Sequence, residues 1–168
     1  MFKQVLLPIL AVVIFILAVG IFVQRSSLFN LPIAPTPQST ALPEKTITVG
    51  SKTIQAQIAN TEDERIKGLS GIKALDINKG MLFVFETKGV TPLFWMKDML
   101  IPLDFIWIGN GKIVRIDKNI PAPAPNTPDG GLKAYSAGAP IDYVLEVNAG
   151  FSDFNKIKVG DSVNLSGI

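Results

Sequence analysis

Apolar and polar positions divide the chain into three stretches of different kind. From Val5 to Val23 the residues are apolar and uncharged, interrupted only by Pro8 and Gly20. Such a run approaches the ~20 residues that cross a bilayer as a helix, and Pro8 falls near the first turns, where a missing amide costs least. Lys3 and the amino group precede it and Arg25 follows. That bias predicts a cytoplasmic N-terminus and an exported remainder. Ala18-Val19-Gly20 has the small-x-small form of a signal-peptidase site, but Ile21, Phe22 and Val23 continue the apolar run beyond it. Residues 1–25 are expected to be an uncleaved membrane anchor, with a cleaved signal peptide as the competing reading. The second stretch, 26–43, carries Pro32, Pro35, Pro37 and Pro43 among small polar residues, with no sustained periodicity. It reads as an extended linker.

The third stretch, 44–168, suits one domain of ordinary size. Residues 45–49 and 53–58 flank Gly50-Ser51, a hairpin signal. In the second of these segments Ile54, Ala56 and Ile58 alternate with polar neighbours, giving one buried and one wet face. Thr61-Glu62-Asp63-Glu64 forms a capping box at the start of a helix running to about Leu69 and stopped around Gly71. Residues 81–86, 93–97 and 103–108 differ in kind. Phe83 to Phe85 and Phe105 to Ile108 are apolar at consecutive positions, so both faces need cover, as in central strands of a closed or layered sheet. Asn110-Gly111 predicts a type I′ hairpin into 112–116. A proline-rich loop at 121–128, a strand at 143–147, a short helix near 151–155 and a last strand at 162–165 complete the pattern. The expected class is mainly β (α+β): a compact mixed or antiparallel sheet, barrel-like or layered, with one or two short helices.

Composition then restricts the chemistry. The chain has no histidine and no cysteine. Imidazole-based catalysis, thiol nucleophiles, disulfides and the usual zinc sites are excluded. The net charge of +2 comes from Lys3 and Arg25, and the rest of the chain balances. No basic stripe marks a nucleic-acid surface, so no nucleic-acid partner is expected. Asn126 to Gly130 is too poor in carboxylates for a calcium loop. No cofactor or metal is expected.

Several motifs share a family resemblance. They are Gly68-Leu69, the run Gly80 to Phe85, Phe94 to Lys97, Ile101 to Asp104, Tyr135-Ser136, Tyr143 to Glu146 and Gly160-Asp161. Together they resemble the domain-of-unknown-function family 192 across nearly all of residues 44–168. The resemblance implies a compact, mostly β domain, often exported or anchored, with no assigned activity. Asp98 and Met99 stand where the family usually has Asn and Thr, and Ile72 stands where an Arg often closes a Gly-Leu-x-x-Arg pattern. A ligand held by that Arg and Asn in other members would be lost or altered here.

The polar residues set among these apolar runs are the candidate site. In an extended segment Trp95 and Lys97 share one face, opposite Phe94, Met96 and Asp98. Asp104 enters an otherwise apolar strand, and a buried carboxylate wants a partner. Two arrangements remain open. In one, Asp104 caps the turn after Pro102, Lys97 pairs with it and Trp95 is core. In the other, Trp95, Lys97, Asp98 and Asp104, with Tyr135 and Ser136 nearby, bind a ligand stacked on the indole. The expectation is a mixed case, with Asp104 structural and Lys97 and Trp95 facing a shallow groove open to a ligand. Ser70 lacks the context of a nucleophile elbow. A Ser-Lys pair from Lys97 and Ser136, or a carboxylate pair from Asp104 and Glu146 held ~5–10 Å apart, would instead support hydrolysis. Glu146 and Asn148 alternate with Tyr143 and Leu145 and are expected on the solvent side.

The expected function is a ligand-binding or accessory module at the cell envelope, with an envelope hydrolase of polysaccharide or peptide as the alternative. Its partners are then the membrane, through the N-terminal helix, and an envelope saccharide or protein. Protease added to intact cells is expected to release a soluble fragment beginning within 26–43. Protection in intact cells with degradation in inverted vesicles would reverse the orientation.

Overall fold

The computed structural model describes residues 41–168. The expected anchor at 1–25 and all but the end of the 26–43 linker lie outside the described residues. Among the described residues no helix is long and apolar enough to cross a membrane.

Two hairpins and one crossover build the sheet. Strand β1 (Glu44–Val49) turns through Gly50-Ser51 into β2 (Lys52–Ala59), with Val49 opposite Lys52. Helix α1 (Glu62–Lys67) crosses to β3 (Lys79–Val84), which lies parallel to β2. Strands β4 (Leu103–Gly109) and β5 (Lys112–Ile120) form the second hairpin. Asn110 and Gly111 both have positive φ, 52° and 68°, as a type I′ turn demands. A 3₁₀ turn (Asp129–Gly131), β6 (Tyr143–Asn148), α2 (Phe151–Phe154) and β7 (Val163–Asn164) complete the order.

The strands lie side by side in the order β5-β4-β6-β3-β2-β1-β7. The two ends of this row then approach each other: Lys112 bridges Ser162, and the Val163 amide donates to the Gly111 carbonyl at 2.8 Å. The sheet is thus a nearly closed, barrel-like structure, mixed through its β2–β3 pair. Closure brings β3 and β6 together so tightly that a Cβ at Gly80 would lie 2.6 Å from the Glu146 carbonyl oxygen. Only glycine fits there.

Both faces of the central strands are covered. Every residue of β4 is buried. Ile106 and Ile108 join Leu82, Leu145 and Val147 inside the barrel, whereas Leu103, Phe105 and Trp107 join Phe83 and Val144 on the outer face. The loop after β3 provides part of the outer cover. Residues 93–97, expected as a strand, are extended but make only one bridge, with Phe94 paired to Tyr135. Pro92 offers no amide on one side and Asp98 turns at φ 54° on the other, so no ladder can grow. The segment instead lies over the sheet and inserts Phe94 edge-on among Phe83, Phe105 and Trp107, with centroids 4.9, 5.9 and 5.5 Å away. Edge-to-face pairs of this kind contribute about 0.5–1.5 kcal/mol each beyond the area they bury.

Helix α1 begins as its capping box predicts: the Glu64 amide donates to Thr61 Oγ1, and Glu64 Oε2 accepts from the Asn60 and Thr61 amides. These amide bonds lower the Glu64 pKa below the usual carboxylate value. The helix ends at Lys67 rather than Leu69, because Gly68 turns at φ 48° and Leu69 is buried in the outer core.

Asp104 is fully buried, on the inner face beside Ile106. Its Oδ1 accepts from the amides of Asn119 (2.8 Å) and Gly150 (3.1 Å), and its Oδ2 from the amide of Ser152 (2.9 Å). One carboxylate on β4 therefore ties β5 to the start of α2, whose N-cap Gly150 has no side chain to satisfy those amides. Lys97, expected as its partner, instead pairs with Asp129 at 2.6 Å. Asp104→Asn is expected to cost about 1–3 kcal/mol, the range for a buried acceptor set left partly unmade. Because Lys97 and Asp104 do not touch, Lys97→Met should add to that loss independently in the double variant, as chemical denaturation will show. Recovery in the double variant would restore the expected pair.

Candidate functional site

The cover over the outer face leaves a gap between the end of α1 and the segment around residues 92–97. It is a cavity of about 380 Å³. Phe83, Phe85, Phe94 and Trp95 contribute aromatic surface, Arg65 and Lys97 stand among its polar residues, and Glu146 reaches it from β6. Each element places its residue for a local reason. The alternation of β3 sends Phe83 outward, the capping box sets the direction of α1 and thus of Arg65, and the Phe94 anchor leaves Trp95 half-exposed beside the cavity.

Glu146 is the unusual group. The strand alternation places it opposite Tyr143 and Leu145 as expected, but that face is not wet. Its neighbours across the sheet are Met81 on β3 and Phe105 on β4, both buried, and only 5% of Glu146 is exposed. No ion pair or side-chain hydrogen bond to it forms among the described residues. Burial alone pushes its carboxyl up to about 8, so it is mostly protonated at neutral pH. The expectation of a solvent-side Glu146 is corrected by the two apolar strands that flank it.

Arg65 brings a positive charge to the same cavity. One of its guanidinium nitrogens donates to the carbonyls of Asn60 (2.7 Å) and Val84 (2.9 Å), and the group lies 5.7 Å from the Phe85 ring centroid. It forms no ion pair among the described residues. Lys97 is engaged: Asp129 holds its ammonium and raises its pKa, while the Trp95 ring lies 5.8 Å away. The Ser70 hydroxyl donates to the Lys97 carbonyl at 2.9 Å.

The residues expected from sequence are only partly gathered. Trp95 and Lys97 line the cavity together. Asp98 lies on an adjoining cleft shared with the 122–127 loop, and its carbonyl accepts from the Gly71 amide. Asp104 is a structural group on the other face of the sheet. Tyr135 packs edge-on against Phe105 at 5.5 Å, and burial raises its pKa, with the Asp117 charge adding to the effect. Ser136 Oγ accepts from the Gly138 amide. Neither Tyr135 nor Ser136 lines the cavity.

Two hydrolytic arrangements lose their geometry. Asp104 is opposite Val147 and Phe105 is opposite Glu146, so the two carboxylates project from opposite faces of the sheet. Lys97 and Ser136 do not hydrogen-bond, and a lysine whose pKa is raised is the reverse of the base such a pair requires. Among the described residues no cluster of three or more acidic side chains is placed to hold a metal ion.

Comparisons with known proteins agree with the fold. No curated protein matches the chain. A protein of unknown function from Novosphingobium aromaticivorans has a crystal structure matching at TM-score 0.65 and 29% identity, over 77% of this chain and 90% of that one. A second, from Sinorhizobium meliloti and provisionally described as a transcription regulator, matches at TM-score 0.66 and 24% identity, over 76% of this chain and 98% of the other, a likeness of fold alone. The model of the uncharacterised family DUF192 matches residues 45–165. Having the motifs, the barrel-like sheet and that match across nearly the whole described domain, the chain belongs to family DUF192.

Proposed function

We propose that this domain is a small-molecule-binding module, held outside the cytoplasmic membrane by the N-terminal segment. The observation that carries the binding reading is Glu146, a buried carboxyl without a partner among the described residues, at a cavity lined by aromatic rings. Buried ionisable groups without partners cost stability, and such groups concentrate where a ligand supplies what the protein withholds. A cavity of about 380 Å³ falls within the range of small-molecule sites. Support for the location is the uncharged run from Val5 to Val23 with Lys3 before it. The envelope-hydrolase alternative has less behind it. A protonated Glu146 could serve as a general acid, but among the described residues it has no hydrogen-bonded catalytic partner, and the Ser70 hydroxyl in the same cavity donates to a backbone carbonyl rather than to a base.

The binding test uses Trp95, half-exposed beside the cavity, as its own reporter. With Trp107→Phe removing the buried indole, envelope small molecules that enter the cavity should shift Trp95 emission to the blue, and Phe83→Ala should weaken the effect. Emission and melting temperature that no such molecule moves would overturn the reading.

Glu146 also predicts a pH dependence. The folded state retains its proton up to about pH 8, whereas the unfolded chain loses it near 4.5. The folded state then binds more protons between those values, so stability falls as pH rises from about 4.5 to 8 and levels off above. The loss has an upper bound of about 5 kcal/mol. Glu146→Gln should flatten that slope and raise stability at pH 8, measured by denaturant unfolding across the range. An unchanged slope would assign the pH dependence to other groups.

A further inference from the structure

The cavity holds two unmatched groups of opposite chemistry. Among the described residues Glu146 forms no ion pair with a cation, and Arg65 forms none with a carboxylate. They do not satisfy each other: no ion pair links them, and burial is the sole cause of the Glu146 shift. The other charged groups around the cavity form no ion pair with either residue. From the sheet, Met81, Phe83 and Phe105 bring no charge to Glu146. From the 92–97 segment comes Lys97, already held by Asp129. From α1 come Glu62, Arg65 and Lys67. The nearby Glu64 carboxylate is committed to the Asn60 and Thr61 amides.

Resting on the binding reading above, we propose that the ligand is a small zwitterion with an apolar body, its ammonium seated on the Glu146 carboxylate and its anionic group on Arg65. A simple cation would meet Glu146 but also the unneutralised Arg65. A simple anion would suit Arg65 and leave Glu146 an unfilled acid. The aromatic surface of Phe83 and Phe94, which line the same cavity, favours an apolar body and adds attraction for an ammonium group. Seating the ammonium ionises Glu146, and the carboxyl proton leaves to solvent, so binding and proton release are coupled.

Titration calorimetry of the full-length protein with ω-amino carboxylates of increasing chain length tests this, with the matching alkylamines and alkyl carboxylates as controls. At pH 7 the best zwitterion is expected to bind roughly tenfold or more tightly than either control, as when a buried charge pair is completed. Its binding enthalpy should vary with the ionisation enthalpy of the buffer in proportion to about one proton released. Glu146→Gln should abolish proton release and lose roughly tenfold or more in affinity. Arg65→Lys should keep the preference over the amine, and Arg65→Met should lose it while proton release remains. Equal binding of the zwitterion and the carboxylate, or binding without proton release, would overturn the ligand class while leaving the cavity a binding site. The ligand class is likewise overturned if no probe binds but envelope molecules still shift Trp95. Silence of both assays overturns the binding reading itself.

Discussion

Strands β3, β6 and β4 lie side by side with apolar residues on both faces, and a sheet of that composition cannot face water on either. Curling into a barrel buries the inner face. The outer face has no second sheet to meet, so chain outside the strands must cover it. The segment through Phe94, the loop bearing Tyr135 and the buried Leu69 after α1 supply that cover. The constraint fits the place of residues 93–97: with Pro92 and the turn at Asp98 barring a ladder, Phe94 packs on the outer face instead. It also explains the cavity. Loops anchored at a few aromatic positions do not tile a face completely, and the uncovered part lies over Glu146.

Two buried carboxyls illustrate how the same burial has opposite consequences. Asp104 and Glu146 lie on adjacent strands, one register step apart and on opposite faces. Asp104 meets three backbone amides at the places where β5 turns and α2 starts, groups that closure of the barrel would otherwise leave without acceptors. Its charge is satisfied locally, and it acts as a rivet between elements distant in sequence. Glu146 meets Met81 and Phe105 and receives no donor among the described residues. The desolvation that Asp104 offsets is uncompensated at Glu146, so a proton remains on the carboxyl. A group in that state has a free interaction to offer, and it offers it into a cavity rather than into packed core.

The domain's architecture was legible in residue pattern because its signals are local. The period of two in β2, the Thr61–Glu64 capping box, the Asn110-Gly111 turn and the doubly apolar runs around Phe83 and Phe105 each report on a few neighbouring residues, and each formed where expected within a residue or two. The site was legible only in part. Trp95 and Lys97 share a face in any extended conformation, and they do meet at the cavity. Asp104, Tyr135 and Ser136 carried the same kind of local signal, yet they serve packing and turns, since proximity in sequence does not say what a third strand or loop brings. The residue of the candidate site that pattern misplaced is Glu146. Its facing along β6 was readable, and β3 and β4 were readable as two-sided. What pattern could not provide is that β6 inserts between them, which makes its outer face their outer face.

Sequence by itself therefore determined the strands, the helix start, the tight turns, the absence of imidazole and thiol chemistry, and membership in a family of barrel-like domains. Those follow from backbone preferences and side-chain chemistry that act over a few residues. Only the tertiary structure decided that Lys97 pairs with Asp129, that Asp104 holds α2, and that Glu146 and Arg65 share one cavity without neutralising each other. Each of those outcomes depends on strand order, which joins residues far apart in sequence, and on desolvation, which is set by everything packed around a group rather than by its neighbours in the chain.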